Sequence, residues 1–388
     1  MAGEISVVSL YEGFFCGGAR RVHTDVLAAL HGRGQRHQVL SMHAEVYREA
    51  TLQRMEDDLC YRKLVAAGVP VSTLRGDVGE AAAAFAGADV ILTLKEQPLR
   101  LVNQAQPRGI PVITCLHRSD PHNQGAALDE LRTAVHTGAI AALVCCAEST
   151  RAAYQAAGLP AGLLHVIPNG VDLRRFRPDR RARAHLRHAL GIPCDAPVVA
   201  FAARYDAMKN VPLFVAAAAA FLTARPGAHV LMCGAGMTAV NTSLTDDLAR
   251  VGLQASHRVH LLGVRDDPQV LFAAADIVAL TSAYGEAAPL CLIEGMMCGA
   301  IPVATDVGDC ASIVGGRGLL AAPDPGATAA AWSEALGRRD QFAAAILASR
   351  NRFGQRRMVT SYANLIRRTA GRHDRLPVSV TASPEAAA

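Results

Sequence analysis

The chain has 388 residues, 51% of them hydrophobic and 19% charged, with 39 basic side chains against 34 acidic ones. This excludes a disordered, collagen-like or coiled-coil protein, exceeds what one hydrophobic core organises, and leaves a net charge of +5, well short of a dedicated nucleic-acid binder. Two domains and no nucleic-acid partner are therefore expected.

Short β-branched runs alternate with longer helical patterns, the signature of βαβ units and parallel sheets. Strands are expected at Ile5–Leu10, His37–Ser41, Val69–Leu74, Asp89–Leu94, Ile110–Leu116, Ala141–Cys146 and Leu164–Ile167. Helices are expected between them at Ala19–Gly32, Arg48–Ala67 and Ser149–Ala157. The second half repeats the scheme with strands Val198–Ala202, His229–Cys233, Val259–Leu262, Ile277–Leu280, Ile301–Ala304 and Gly318–Ala321. The fold class is α/β, two Rossmann-like doubly wound domains in tandem.

Between the halves, the stretch from Arg174 to His188 carries seven arginines and reads as a solvated linker helix. The domains are set at 1–190 and 191–354, with a helix at 355–372 and a disordered tail at 373–388. The ten cysteines contain no C-x-x-C pair and read as reduced, mostly buried thiols. The start of the chain has no basic region before an apolar one, and the alanine-rich run Phe214 to Leu222 is far too short for a membrane span. A cytoplasmic protein with no integral membrane association is the expectation.

The most informative segment is Thr281-Ser-Ala-Tyr-Gly-Glu-Ala-Ala-Pro-Leu-Cys-Leu-Ile-Glu-Gly295. It follows a strand and enters a helix, which puts Glu286 at the carboxyl edge of a parallel sheet, where open α/β folds bind ligands. The amides of Ala287, Ala288, Pro289 and Leu290 lie around a helix N-terminus suited to a diphosphate (proline contributing no N–H). Glu294, two helical turns on, can face the same cleft. Arg204 and Lys209 sit just past the strand Val198–Ala202, where two cations neutralise charge on a leaving phosphate. Gly234-Ala-Gly236 ends another strand without side chains to block a ligand. The same run fits the dinucleotide fingerprint G-x-G-x-x-A, but the next strand ends Leu261-Leu262-Gly263 without the acid that a nicotinamide cofactor needs.

Taken in order, Arg204 with Lys209, Gly234-x-Gly236, Val259–Gly263 and Glu286-x7-Glu294 resemble the carboxyl half of the family-four retaining glycosyltransferases with the GT-B fold. In the amino half, Gly17-Gly18 resembles that family's glycine-rich loop and Thr114-Cys-Leu-His117 its threonine-x-x-histidine. Ile167-Pro-Asn-Gly-Val-Asp172, with Phe176 and Pro178, resembles its interdomain signature. The resemblance implies two lobes facing across a cleft, with the last helix crossing back onto the amino lobe. It also implies a nucleotide-sugar donor, UDP-linked, as co-substrate and no cofactor.

By the same resemblance Glu286 binds hydroxyls of the transferred sugar, Glu294 the ribose diol, and Arg204 and Lys209 the diphosphate. Amides of Gly18 and of the 288–290 loop assist, the base lies near Leu262 to Arg265, and His117 approaches the sugar from the amino lobe. The chain departs from the pattern in Ala19-Arg20, where a glutamate is common, and in Ala-Ala-Pro after Glu286, where Phe-Gly is commoner. The chain has no Asp-x-Asp pair, so metal-independent transfer is expected. A GT-B nucleotide-sugar epimerase and a non-catalytic nucleotide-sugar-binding subunit are the alternatives.

The opening segment Ser9 to Arg20, with His23-Thr24-Asp25, is similar to glycosyltransferases of aminoglycoside-antibiotic pathways that glycosylate a 2-deoxystreptamine pseudodisaccharide such as paromamine. That implies a small, polar, polycationic acceptor. Glu12, Asp25, Glu96 and Asp120, beside the glycine loop or past strand ends, are the carboxylates placed to meet its ammonium groups.

Overall fold

The structure is a computed structural model and describes residues 4–373 except 16, 49, 50 and 76. Fifteen strands occur among these residues: β1 Ile5–Tyr11, β2 Gln35–Ser41, β3 Glu45–Arg48, β4 Thr51–Arg54, β5 Val71–Thr73, β6 Val90–Leu94, β7 Val112–Leu116, β8 Ile140–Cys145, β9 Leu164–Val166, β10 Val198–Ala202, β11 His229–Cys233, β12 Val259–Leu261, β13 Ile277–Leu280, β14 Ile301–Thr305 and β15 Leu319–Ala321. They build a seven-stranded sheet in the order β5-β2-β1-β6-β7-β8-β9 and a six-stranded sheet in the order β12-β11-β10-β13-β14-β15. The pairings within both sheets are parallel.

Parallel strands covered on both faces read as unbroken apolar runs, and β6, β7, β11 and β14 are buried at every residue. In each sheet the strand order reverses beside the first strand, between β1 and β6 and between β10 and β13. The loops that leave these strands at their carboxyl ends border the two switch-point crevices. They contain the glycine loop and Glu96 in one lobe, and Arg204 to Lys209 and Glu286 in the other.

The thirteen strands expected from sequence all form, with ends shifted by at most two residues. The region Arg48–Ala67 is different: its first part belongs to the antiparallel hairpin β3-β4, a 3-10 turn follows at Met55–Asp57, and α-helix begins only at Leu59, where Asp58 accepts the amides of Cys60 and Tyr61.

The arginine run also departs from expectation. The helix Arg180–Ala189 packs on the carboxyl lobe rather than closing the amino domain at 190, and it is not merely solvated. Arg187 is 1% exposed and, with Arg183 and Arg339, reaches the buried carboxylate of Asp276 ahead of β13. Leu186, Val171 and Phe176 join the carboxyl-lobe core. The helix Gln355–His373 does return to the amino lobe, where Met358, Tyr362 and Ile366 are buried with Val7, Tyr11 and Leu92. Residues 374–388 of the expected tail, and Cys16, lie outside the described residues.

The stretch Ala207–Ala224, with mean hydropathy 1.5, is long and apolar enough to cross a bilayer by length and composition, well beyond the run Phe214 to Leu222. Here its α-helical part, Val211–Ala224, is a core helix: Phe214 and Phe221 pack on Trp332, with ring centroids 5.4 and 5.6 Å apart.

Candidate active site

The loop after β13 is locked before it meets anything else. Thr281 Oγ1 donates to the carbonyls of Lys209 and Asn210, and the Ala283 amide donates to Met208 O at 2.8 Å, which ties this loop to the one after β10. From β14, Thr305 Oγ1 donates to Ser282 O at 2.6 Å and the Asp309 amide to Ala287 O at 2.8 Å. Gly308, at φ +61°, lies so close to the Glu286 carbonyl that any Cβ would collide with it.

These ties bring the expected residues together. Lys209 Nζ donates to Glu286, and Ser282 Oγ donates to the same carboxylate at 2.6 Å; the two charged side chains are 14% and 8% exposed. Burial alone lowers an ammonium, but Glu286 beside it outweighs this and raises Lys209. Arg204 pairs with Asp206 at 2.9 Å on the rim of the same loop. Sequence reasoning did not identify Ser282, whose serine gives no signal outside the folded loop.

Glu294 lies deeper, 4% exposed, and its carboxylate is held across the lobes by Arg21 from the helix Gly18–Leu30. Burial raises the Glu294 carboxyl, with Arg21 opposing. Arg21 was also missed, although its place three residues after Gly18 puts it in the first turn of the helix that begins there.

A cavity of about 770 Å³ between the lobes is lined by Gly17, Leu290 and Glu294 together with Gly236, Val264 and Arg265. It does not reach Lys209, Glu286 or His117. Gly18 and Leu290 meet across the lobes: a Cβ on Gly18 would stand 3.1 Å from Leu290 Cδ1. Arg265 forks onto Asp267 at 2.8 and 2.7 Å. Leu262 packs against the core instead and its amide bonds Met232 O. Gly234, at φ +133°, makes room for the Ala203 carbonyl, not for open space. Ala287 is buried against Cys146 and Ala147 of the amino lobe, Ala288 O accepts from Asn169 Nδ2 at 3.0 Å, and Pro289 caps the helix Leu290–Met297.

From the amino lobe, His117 follows β7 with Nε2 buried and unpartnered, and burial, aided by Lys95, holds it down to about 3. It is a neutral imidazole at physiological pH. Arg20, where the family favours glutamate, is buried, donates to the Phe15 carbonyl and lies 3.8 Å over the Phe15 ring, so it braces the glycine loop.

Of the four carboxylates expected to meet a polycation, Glu96 is a correction: it is buried, takes the Tyr154 hydroxyl, and burial pushes it up to about 7. Asp120 is clasped by Arg118 through two bonds of 2.6 Å, and Asp25 by Lys63 at 2.5 Å. Glu12 is half-buried beyond β1. Asp25 does line the cavity, joined by Asp57 and Asp58, which sequence reasoning passed over inside an expected helix.

Comparison with known proteins covers both lobes. Residues 16–175 match the family described as Glycosyltransferase Family 4, and residues 196–338 the family described as Glycosyl transferases group 1. The chain is 36% identical over 190 residues to a D-inositol 3-phosphate glycosyltransferase of Mycolicibacterium paratuberculosis, a match covering 43% of this chain and 41% of that one. It is 35% identical over 199 residues to the protein of that name from Nocardia farcinica, covering 49% and 43%. The match thus spans less than half the length of these relatives.

Among solved structures, Anabaena Alr3699/HepE in complex with UDP and glucose superposes with a TM-score of 0.79 at 22% identity, over 94% of this chain and 99% of that one. Sucrose-phosphate synthase from Thermosynechococcus elongatus gives 0.74 at 20% identity, over 95% and 100%. These establish the GT-B fold.

Proposed function

We propose that this chain, a GT-B glycosyltransferase of group 1 and family 4 by both of its halves, moves a sugar from a UDP-sugar to a hydroxyl of a small cyclic polyol with retention of configuration. The observation that carries the reading is the loop–helix from Thr281 to Met297, which bears Glu286 beside Lys209 at one end and Glu294 on the cavity wall at the other. A nucleotide whose ribose lies on Glu294 and whose base lies toward Val264 and Arg265 runs its diphosphate past the N-terminus of the helix Leu290–Met297. The leaving phosphate then approaches Lys209 and Arg204, and Glu286, exchanging Lys209 for the sugar, receives its hydroxyls. No cofactor takes part.

Retention follows, in this reading, if the departing β-phosphate accepts the acceptor's proton on the face the sugar leaves. Lys209, Arg204 and the helix end then supply the positive charge, and transfer proceeds without a divalent cation. The neutral His117 is suited to hydrogen bonding with the sugar rather than to giving up a proton. Closure of the lobes excludes water and limits hydrolysis. The setting is the cytoplasm.

For the acceptor, the opening segment supports an aminocyclitol pseudodisaccharide, whereas the relatives' name, D-inositol 3-phosphate glycosyltransferase, supports a phosphorylated cyclitol. With Glu96 buried and Asp25 and Asp120 already neutralised by Lys63 and Arg118, the amino lobe offers less negative charge than a polycation calls for. The common denominator, a six-membered ring polyol, is the reading kept. UDP release from a panel of UDP-sugars, in EDTA, with paromamine and with D-inositol 3-phosphate as acceptors, tests it. Release that no acceptor stimulates is the result that rejects it.

A further inference from the structure

An ion pair in the cavity wall is made by residues of opposite lobes. Arg21, in the first turn of the helix Gly18–Leu30, reaches Oε1 of Glu294 in the helix Leu290–Met297. Both residues line the cavity, and the glutamate is almost wholly buried while the arginine is a third exposed. Other charged or titratable groups also act on Glu294. Asp25 follows Arg21 on its helix but is held by Lys63 at 2.5 Å. Arg175, from the crossover after β9, spends its guanidinium on Gln269 Oε1 and the Asp266 carbonyl, both at 2.8 Å. Cys291 lies on Glu294's own helix and Cys298 caps its C-terminal end, both pushed up to about 12 by burial and therefore neutral.

A carboxylate has two oxygens and accepts at each. With Oε1 engaged by the guanidinium, the side chain is fixed in orientation and its second oxygen is left for a further donor. We propose that Arg21 is a positioning residue that holds Glu294 as an oriented carboxylate, so that the amino lobe takes part in recognising the ribose of a nucleoside diphosphate bound on the carboxyl lobe. The inference rests on the reading of Glu294 as the ribose ligand.

The chemistry sets what removal does. Burial already raises the Glu294 carboxyl, and Arg21 is the first influence that opposes it. Without the guanidinium the carboxyl rises further and takes up a proton as the pH falls. A protonated carboxyl accepts hydrogen bonds poorly, so ribose binding weakens toward acid.

Calorimetric titration of the full chain with UDP, across pH 5.5 to 8.5, tests this with wild type, Arg21→Gln, Arg21→Lys and Glu294→Gln. The expected result is a UDP dissociation constant that, in Arg21→Gln, rises toward about tenfold per unit of falling pH below the displaced carboxyl value. Each profile is read as the ratio to wild type at the same pH, which cancels the titration of UDP's own phosphate; the Arg21→Gln ratio should grow toward acid, and Arg21→Lys should keep most of the wild-type profile. Glu294→Gln should bind UDP weakly at every pH. An Arg21→Gln profile parallel to wild type, with Glu294→Gln still impaired, overturns the role of Arg21 and leaves the ribose assignment standing. Wild-type binding in Glu294→Gln removes the ribose assignment, and the inference with it.

Discussion

Lys209→Ala removes the cation from a carboxylate that is 8% exposed and leaves Glu286 with the Ser282 hydroxyl at 2.6 Å. Breaking a buried ion pair by deleting one partner costs about 3–5 kcal/mol. Because Ser282 stays and the pair is not wholly dry, the lower end applies, roughly 3 kcal/mol. Glu286→Gln keeps an oxygen for both donors but leaves the Lys209 ammonium, 14% exposed, without its anion; the retained hydrogen bond holds the cost below that of Lys209→Ala, at about 2 kcal/mol.

The double variant no longer buries a lone carboxylate. It should fall short of the summed losses by about 1–2 kcal/mol, as coupled neighbours do. Urea unfolding of the four proteins at one pH, read as midpoints at constant slope, measures each value. In parallel, turnover of Lys209→Ala should drop roughly 100-fold or more, the usual consequence of removing one donor to a developing anion. A Lys209→Ala protein within 1 kcal/mol of wild type, or strictly additive losses, refutes the claim that the two side chains neutralise each other.

Asp276→Asn leaves Arg187 buried without its anion and should cost about 3 kcal/mol in urea unfolding. Specific activity of the folded fraction should not change, since Asp276 precedes β13 at the sheet edge opposite Glu286. Asp309 accepts the amides of Glu148 and Ser149, 3.0 and 2.8 Å away across the lobes, and so caps the helix Glu148–Ala156 from outside its own chain segment. Asp309→Ala should therefore cost about 1 kcal/mol, and an unchanged midpoint argues against the cap. Burial holds His37 and His117 down to about 3, so the unfolded chain protonates them near 6.5 while the folded one does not. Their contribution is complete above that value and is lost as pH falls below it, about 2 kcal/mol each by pH 5. Urea midpoints that stay level from pH 7 to 5 contradict this.

Strands such as β6, β7, β11 and β14 were legible because both faces of each sheet are covered, which turns them into apolar runs bounded by polar loops. The hairpin β3-β4 was not. Tyr47 and Leu52 face outward, 73% and 48% exposed, so no core-facing alternation marks it, and the helix expected from Arg48 ran through its second strand. The placement of Glu286 and Lys209 beyond strand ends was legible, while the roles given to them and to Glu294 came from the family resemblance; the fold brings Lys209 onto Glu286.

Partners remote in sequence were illegible. Nothing near Arg183 or Arg187 distinguishes a solvated arginine from one drawn onto Asp276, some ninety positions away. Glu96 follows the same pattern: a loop carboxylate reads as solvated until Tyr154, fifty-eight residues on, covers it. Arg21 is the case with most consequence, for its partner Glu294 belongs to the other lobe.

The claim that the site transfers sugar, rather than epimerising or merely holding a nucleotide sugar, is tested most directly by a single measurement. UDP-sugar, cyclitol acceptor and protein are combined in EDTA, and the new glycosidic linkage is read by proton NMR. The account predicts a product whose anomeric configuration matches that of the donor, with UDP formed in equal amount and product formation lost in Glu286→Ala. An inverted linkage, a free epimerised nucleotide sugar, or no product from any donor contradicts it.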